Sequence, residues 1–413
     1  MSTQSTADMV RAFGRIGLLS FGGPAAQIAI MHEELVERRR WLSEDQFLRA
    51  LSLCMLLPGP EAMQLATYAG WRLRGIWGGL LAGLLFVVPG ALVIFILAFA
   101  YISYGQVPLV QAAFVGVKAA VIIVVLQALL RLGDKALANR SAWALAALAF
   151  VALFAFGLPF PLIIGISAIY GYLTSKAVVE VATPISVPIK QTLRTIAIWS
   201  ALWAAPMISL WIIQAGFLIQ LGMFFSKLAV VTFGGAYAVL AYMSQTVVQD
   251  YAWVTSGQMI DALGLAETTP GPLILVTEFV AILAGAASGG IGLAIAAGLL
   301  ALWVTFIPCF LWIFAAGPYI ETLTSRPRLS AALSAVTAAV VGVILNLSIW
   351  FALHVLFDQV GKLGVMPLPV LSTINLVAAL LTGTAAVLML RFKLGLVPTM
   401  GLMALAGMAL SIV

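Results

Sequence analysis

The sequence predicts an all-α polytopic membrane protein made of two inverted-topology repeats, each with re-entrant helical hairpins broken at FGG and PGP motifs. Composition is the first observation behind this reading. Of 413 residues, 63% are hydrophobic and 9% charged, and mean hydropathy is +1.12, more apolar surface than a soluble core of this size can bury. The second is a gapless internal repeat. At an offset of 212, "SFGGPAAQIAIM" from Ser20 aligns with "TFGGAYAVLAYM" from Thr232, Trp41 with Trp253, Gln46 with Gln258, and Pro58-Gly59-Pro60 with Pro270-Gly271-Pro272. Apolar composition alone can supply matched Leu and Ala, but not a matched FGG, Trp, Gln and PGP at one offset. The third is charge. The connector "HEELVERRRWLSEDQFLR" carries Arg38, Arg39, Arg40 and Arg49, whereas its counterpart "SQTVVQDYAWVTSGQMID" carries no Lys or Arg. The positive-inside rule places the first in the cytoplasm and the second outside.

The elements follow in order. The first repeat occupies 1–190, a linking transmembrane segment 191–216, and the second repeat 217–413. In the first repeat the FGG segment and the segment 46–71 precede apolar runs at about 76–101, 109–131, 141–157 and 159–176. With Arg72 and Arg74 inside, Arg131, Lys135, Arg140, Lys176, Lys190 and Arg194 also fall inside. A span near 195–215 then inverts the second repeat. Its runs at about 290–316, 331–357, 368–390 and 394–413 leave Arg326, Arg328, Arg391 and Lys393 inside and only Lys362 outside, which favours inverted over parallel repeats. For Arg40 and Arg72 to share one side, 46–71 must enter the membrane, turn at PGP and leave the way it came. Arms of about 12 residues at about 1.5 Å per residue span only half a bilayer. The FGG segments read the same way, with Gly22-Gly23 and Gly234-Gly235 as tips. The alternative is a set of complete spanning helices kinked at proline.

Net charge is +6, which here reports loop orientation before it reports any nucleic-acid partner. Cys54 and Cys309 lie in apolar runs with no metal spacing, and His32 and His354 are isolated, so no disulfide framework, metal site or cofactor is expected. The N-terminus has no charged segment followed by a compact apolar core and cleavage site, and no removable signal peptide is expected.

Candidate site residues converge on anion chemistry. Non-helical backbone at membrane depth is tolerated where protein or a water-filled cavity surrounds it, and transporters place substrates there. Gly23-Pro24, Gly59-Pro60 and Gly271-Pro272 have Pro where a new helix starts, and Gly234-Gly235 is a fourth candidate start. Each helix N-terminus offers free N–H groups and about half a positive charge, so four supply roughly +2, a match for a tetrahedral dianion. Phe21 and Phe233 complete the FGG motifs. Ser20, Thr232, Thr268 and Thr269 can donate hydroxyl hydrogen bonds; the competing reading is a bond back to their own helix. Arg15 and Lys227 are charged residues in apolar segments at matched repeat positions, with snorkelling to the interface as the competing reading for Arg15. Lys118 sits mid-span without an obvious sequence partner. Glu61, Glu267 and Glu278 are the acidic coupling candidates. Beside an anion site a carboxylate repels the anion when ionised and admits it when protonated, although Glu61 can simply complement a helix start.

The segments "SFGGPAAQIAIMHEELVERRRWLSEDQFLRALSLCMLLPGPEAMQLATYAGWRLRG" and "TFGGAYAVLAYMSQTVVQDYAWVTSGQMIDALGLAETTPGPL" closely resemble the chromate ion transporter family in its long-chain, two-domain form, over both repeats. The resemblance implies a secondary transporter that exports chromate across the bacterial inner membrane and confers chromate resistance, with sulfate as a related substrate. The second repeat departs from the first, with Ala236 for Pro24 and Glu267-Thr268-Thr269 for Met55-Leu56-Leu57, so an asymmetric site is expected. Expected partners are chromate, sulfate as an alternative, and the lipid bilayer; a homodimer stays open and no nucleic acid is expected. An anion channel would use the same parts. A membrane-embedded enzyme would need a catalytic set such as paired carboxylates with a metal-binding His cluster, and no such spacing occurs in the sequence.

Overall fold

The computed structural model describes residues 5–175, 188–233, 236–324 and 326–411. Helices dominate, and among the described residues five helical segments are long and apolar enough to cross a membrane. The first repeat contains α1 (Thr6–Leu19), α2 (Gly23–His32) running into a π-helical turn (Glu33–Arg38), α3 (Glu44–Leu56), α4 (Glu61–Tyr104), α5 (Pro108–Ala136), α6 (Arg140–Phe154) and α7 (Phe160–Thr174). α8 (Ile189–Ile212) links the repeats, where the sequence predicts an extra span. The second repeat contains α9 (Gly216–Val231), α10 (Ala236–Gln245) with a π-helical turn (Thr246–Asp250), α11 (Ser256–Thr268), α12 (Val276–Ala316), α13 (Ile320–Thr324) and α14 (Pro327–Leu356). A hairpin of β1 (Val360–Leu363) and β2 (Met366–Pro369) follows, then α15 (Leu376–Ala386) and α16 (Leu396–Leu410).

Local chemistry repeats with the sequence. Ser43 caps α3 by accepting from Gln46 N–H, and the Gln46 side chain accepts from Ser43 N–H; Thr255 and Gln258 form the same reciprocal cap at α11. Each π-helical turn ends in a left-handed residue, Arg40 (φ 51°) and Ala252 (φ 51°). The tryptophan that follows donates its N–H back into that turn, Trp41 to Leu35 and Trp253 to Val247, both at 2.8 Å. The long helices α4 and α12 are each interrupted by a glycine in the left-handed region, Gly75 (φ 61°) and Gly290 (φ 79°), so each is two arms joined at a turn. The arms of α4 lie against each other: a Cβ on Gly70 would sit 2.2 Å from the Gly78 carbonyl oxygen.

Backbone contacts divide the chain into two compact units, and both draw on both repeats. The first comprises 1–98, 175–236 and 269–330; the second 99–174, 237–268 and 331–413. In the first, α12 packs on α8 and α9, and two indoles lock α8 to α12 reciprocally: Trp203 Nε1 donates to the Val304 carbonyl and Trp303 Nε1 to that of Leu202. The rest of α8 is open, with Trp199 its one buried residue and Trp211, Ile212 and Ile208 turned outward, a surface suited to lipid. In the second unit α5 is the axis against which α11, α15 and α16 pack. The approach to α16 is close enough that Gly116 meets the Met403 carbonyl and Gly407 that of Ala112, the small-residue contact that replaces hydrophobic drive between membrane helices.

The runs at 141–157 and 159–176 differ from expectation. α6 and α7 have 15 residues each, a rise of about 22 Å against a hydrocarbon core of about 30 Å, so neither is a full-length span by itself. α16, also 15 residues, repeats this at the end of the second repeat. The run at 368–390 also starts late. The β-hairpin takes its first residues, because Met366 and Leu368 each precede a proline and are pushed toward extended backbone, and α15 starts at Leu376 under an Asn375 cap.

Candidate functional site

In the first unit each PGP break is tied to the residue preceding the FGG of the other repeat. Gly59 N–H donates to the Thr232 carbonyl at 2.9 Å, and Gly271 N–H donates to the Ser20 carbonyl at 3.0 Å. The two bonds are one interaction written twice, since both pairs are related by the same offset of 212. Both glycines adopt positive φ, 120° at Gly59 and 89° at Gly271, which a Cβ disfavours. Prolines on either side remove donors that would otherwise need partners in a buried place. Two glutamines then donate to carbonyls at the breaks. Gln64 Nε2 donates to the Pro58 carbonyl at 2.6 Å, and Gln27 Nε2, 2% exposed, donates to those of Gly271 (2.7 Å) and Ser20 (3.4 Å).

The hydroxyl protons expected to face a substrate are engaged locally in this conformation. Ser20 Oγ donates to the Ile16 carbonyl, Thr232 Oγ1 to that of Leu228, and Thr268 Oγ1 to those of Gly264 and Leu265, the competing reading of these residues. Thr269 is buried. The helix starts are unequal. Pro24 lies in the first turn of α2, with Gly22 and Gly23 both at φ 83°, and Pro60 immediately precedes α4. Pro272 differs from the predicted helix start: a 3-10 turn, Leu273–Leu275, separates it from α12. Gly234 and Gly235 lie outside the described residues. Pro270, Gly271 and Pro272 are buried, while Pro58 and Pro60 are half-buried, Phe233 is half-buried and Phe21 is exposed.

Arg15 and Lys227 both point outward. Arg15 sits 3.8 Å from Glu34, a nearly buried carboxylate that also takes Arg38 at 2.9 Å and Arg39 at 2.7 Å, with Arg39 stacked over Trp41. Burial pushes the Glu34 carboxyl up, but the Arg39 hydrogen bond and the charges of Arg38, Arg39 and Arg15 outweigh it and hold Glu34 below its usual range. The structure thus brings Arg15 to the arginine-rich connector, five residues (20 − 15) of helix away from Ser20.

The acidic candidates separate. Glu61 is the first residue of α4 and half-buried. Glu278 is 1% exposed, and its Oε2 finds no hydrogen-bond partner among the described residues; its stem lies against Gly298 on the second arm of α12. In the second unit, Glu267 accepts a hydrogen bond from Tyr237. The second unit also supplies the partner missing for Lys118. Its Nζ lies 3.4 Å from Asp261 Oδ2, which accepts from the Tyr101 hydroxyl at 2.8 Å. Asp261, Tyr101, Tyr237, Gln27 and Gln64 are therefore polar residues that motif reading passed over. A signal existed for Asp261 alone: it stands where the first repeat has Arg49, a charge reversal at a matched position.

An α-helical, multi-pass membrane protein with two paired helix breaks is the class that this architecture defines. The chain belongs to the chromate transporter family, which it matches over residues 7–172 and 219–409. It is 34% identical to a chromate transport protein of Pseudomonas aeruginosa over 80% of this chain and 77% of that one. It is 32% identical to a probable chromate transport protein of Synechococcus elongatus (82% and 83% covered) and 29% identical to a chromate transport protein of Cupriavidus metallidurans (86% and 85%). No solved structure matches the chain.

Proposed function

We propose that this protein is a secondary transporter that exports chromate across the bacterial inner membrane and so confers chromate resistance. The observation that carries the reading is the reciprocal tie between Gly59 and Thr232 and between Gly271 and Ser20, which joins each helix break to the other repeat. Relatives that are chromate transport proteins support the substrate. In this reading the repeats 1–190 and 217–413 are inverted, the segments broken at FGG and PGP are re-entrant, and the linking helix sets the inversion. The substrate rests near Ser20, Phe21, Gly22, Gly23, Pro58, Gly59 and Pro60 of one repeat and Thr232, Phe233, Gly234, Gly235, Thr268, Thr269, Pro270, Gly271 and Pro272 of the other. Arg15 and Lys227 draw the dianion toward that place from either side. Glu61, Glu267, Glu278 and Lys118 are the groups through which a proton is exchanged for it.

Transport, substitution and labelling experiments test this. Inverted vesicles should accumulate labelled chromate, sulfate should compete because it shares geometry and charge, and collapse of the proton gradient should stop accumulation. Downhill flux that persists without any gradient dependence would instead identify an anion channel. Arg15→Gln and Lys227→Gln should each lower uptake at least about tenfold, corresponding to about 1.4 kcal/mol, with Arg15→Lys less affected. For the topology, a cysteine at Thr255 should react with a membrane-impermeant reagent from outside and one at Ser43 only after permeabilisation. Equal reactivity at the two sites would rule out inversion.

A further inference from the structure

A polar cavity lies wholly within the second unit, away from the FGG and PGP motifs in sequence. It is bounded by α6, α10, α14 and the β-hairpin. Its polar lining is made of donors and amides: Ser244, Gln245 and Gln249 from α10 and its π-helical turn, Asn346, Trp350 and His354 from α14, and Lys362 from β1. No carboxylate lines it among the described residues.

Two of these groups are in an unusual state. Ser244, 1% exposed, leaves Oγ without a hydrogen-bond partner, although a helical serine can bond back to its own turn, as Ser348 does to Ile344. Trp350 Nε1, which can only donate, is likewise buried and without a partner among the described residues. Folded proteins rarely leave a buried donor unpaired, so two beside one cavity point to a ligand that accepts from both. His354 fixes the indole. Its Nδ1 donates to the Trp350 carbonyl at 2.9 Å and its ring packs on that indole at 4.2 Å between centroids.

Comparison of the repeats gives the sign of the charge that fits. Ser244, Gln245 and Gln249 stand at the offset of 212 from His32, Glu33 and Glu37. In the first repeat His32 faces Glu44 at 2.6 Å and Glu37 at 3.3 Å, an acidic setting hostile to an anion. In the second, both glutamates are amides and Lys362 adds a positive charge.

We infer that this cavity binds a small tetrahedral oxyanion group, held by Ser244 Oγ, Trp350 Nε1 and Lys362 with amide donors completing the shell, as a station separate from the PGP breaks. The inference rests on the transport reading only for the ion's origin; the site itself stands on its own donors.

The probe is radiolabelled sulfate, measured by equilibrium binding to the purified full chain in neutral detergent. Wild type should bind sulfate at the cavity in addition to any held at the PGP breaks, and Ser244→Ala and Lys362→Gln should each weaken that additional class of binding at least about tenfold at an unchanged melting temperature in the absence of sulfate. Gln245→Glu, which restores the acid of the first repeat, should abolish binding to the cavity. Sulfate displaced by added phosphatidylglycerol, and not by phosphatidylcholine, would assign the site to a lipid headgroup; retention would assign it to the free ion. Binding unchanged in all three variants, or absent from wild type with no lipid displacement to explain it, overturns the site. Chromate uptake into vesicles is scored separately, so loss of transport in wild type would sink the transport reading and leave the cavity result standing.

Discussion

Gly59→Val and Gly271→Val will each abolish chromate uptake while a distant Gly14→Ala leaves it intact. Positive φ at these glycines costs an L-residue about 1–2 kcal/mol before any contact is counted, and β-branching makes that region less accessible still. Contacts then add to it. A Cβ on Gly59 would lie 2.8 Å from Gln64 Nε2 and 3.0 Å from Cys309 Sγ, displacing the glutamine that satisfies Pro58. A Cβ on Gly271 would lie 3.1 Å from Leu275 Cδ1 and 3.4 Å from the Gly90 Cα, so the backbone must retreat and its N–H must leave the Ser20 carbonyl. Relaxing either φ breaks one of the two reciprocal bonds and leaves the buried glycine N–H unpaired, roughly another 1–3 kcal/mol. Gly14 is the control, since a Cβ there meets nothing within 4 Å. Vesicle uptake at matched expression, with thermal unfolding of the purified variants, is the measurement. Uptake by either valine variant equal to that of Gly14→Ala would mean that the breaks have no part in transport.

Lys118→Met and Asp261→Asn will each destabilise the protein strongly, and the double variant will recover most of the loss. Asp261 is 3% exposed, and Lys118, partly exposed, is its ion-pair partner. Removing Lys118 strands the Asp261 carboxylate in an apolar setting, at a cost of about 3–5 kcal/mol for a buried pair, and removing Asp261 leaves a lysine that solvent reaches only in part. Replacing both puts an amide opposite the Tyr101 hydroxyl, still able to accept from it, and an apolar thioether against α11, so the penalty should fall to a fraction of either single value. Tyr101→Phe should cost less than either, about 1.5–3 kcal/mol, as loss of one hydrogen bond to a charged group. Melting temperatures in detergent give the cycle. Additive losses in the double variant would show that the two residues do not act as a pair.

Membrane character was legible because it is a property of composition, and the broken helices were legible because proline and glycine act through their own backbones. Neither depends on what lies next to them in space. The same locality explains why Ser43 and Gln46, and Thr255 and Gln258, announce their caps, and why Trp41 and Trp253 mark the ends of matched turns. Reading by periodicity failed where helix length matters. The apolar runs at 141–157 and 159–176 look sufficient to span, yet turns at each end shorten α6 and α7 to 15 residues.

Pairings between distant residues belong to the tertiary structure alone. Nothing near Lys118 in the chain names Asp261, and nothing near Gly59 names Thr232, because helix packing and not sequence spacing sets those distances. Arg15 shows the consequence. Its position in an apolar segment marked it as an embedded cation, and packing of the connector carried Glu34 within 3.8 Å of it. Composition, duplication and motif thus specify a two-repeat membrane protein with breaks at FGG and PGP, since those signals are local or statistical. Which carbonyl receives each glycine N–H, which acid meets each cation, and which donors stay unpaired around the cavity of the second unit follow only once the helices are packed, because each is a matter of a few ångströms between segments far apart in sequence.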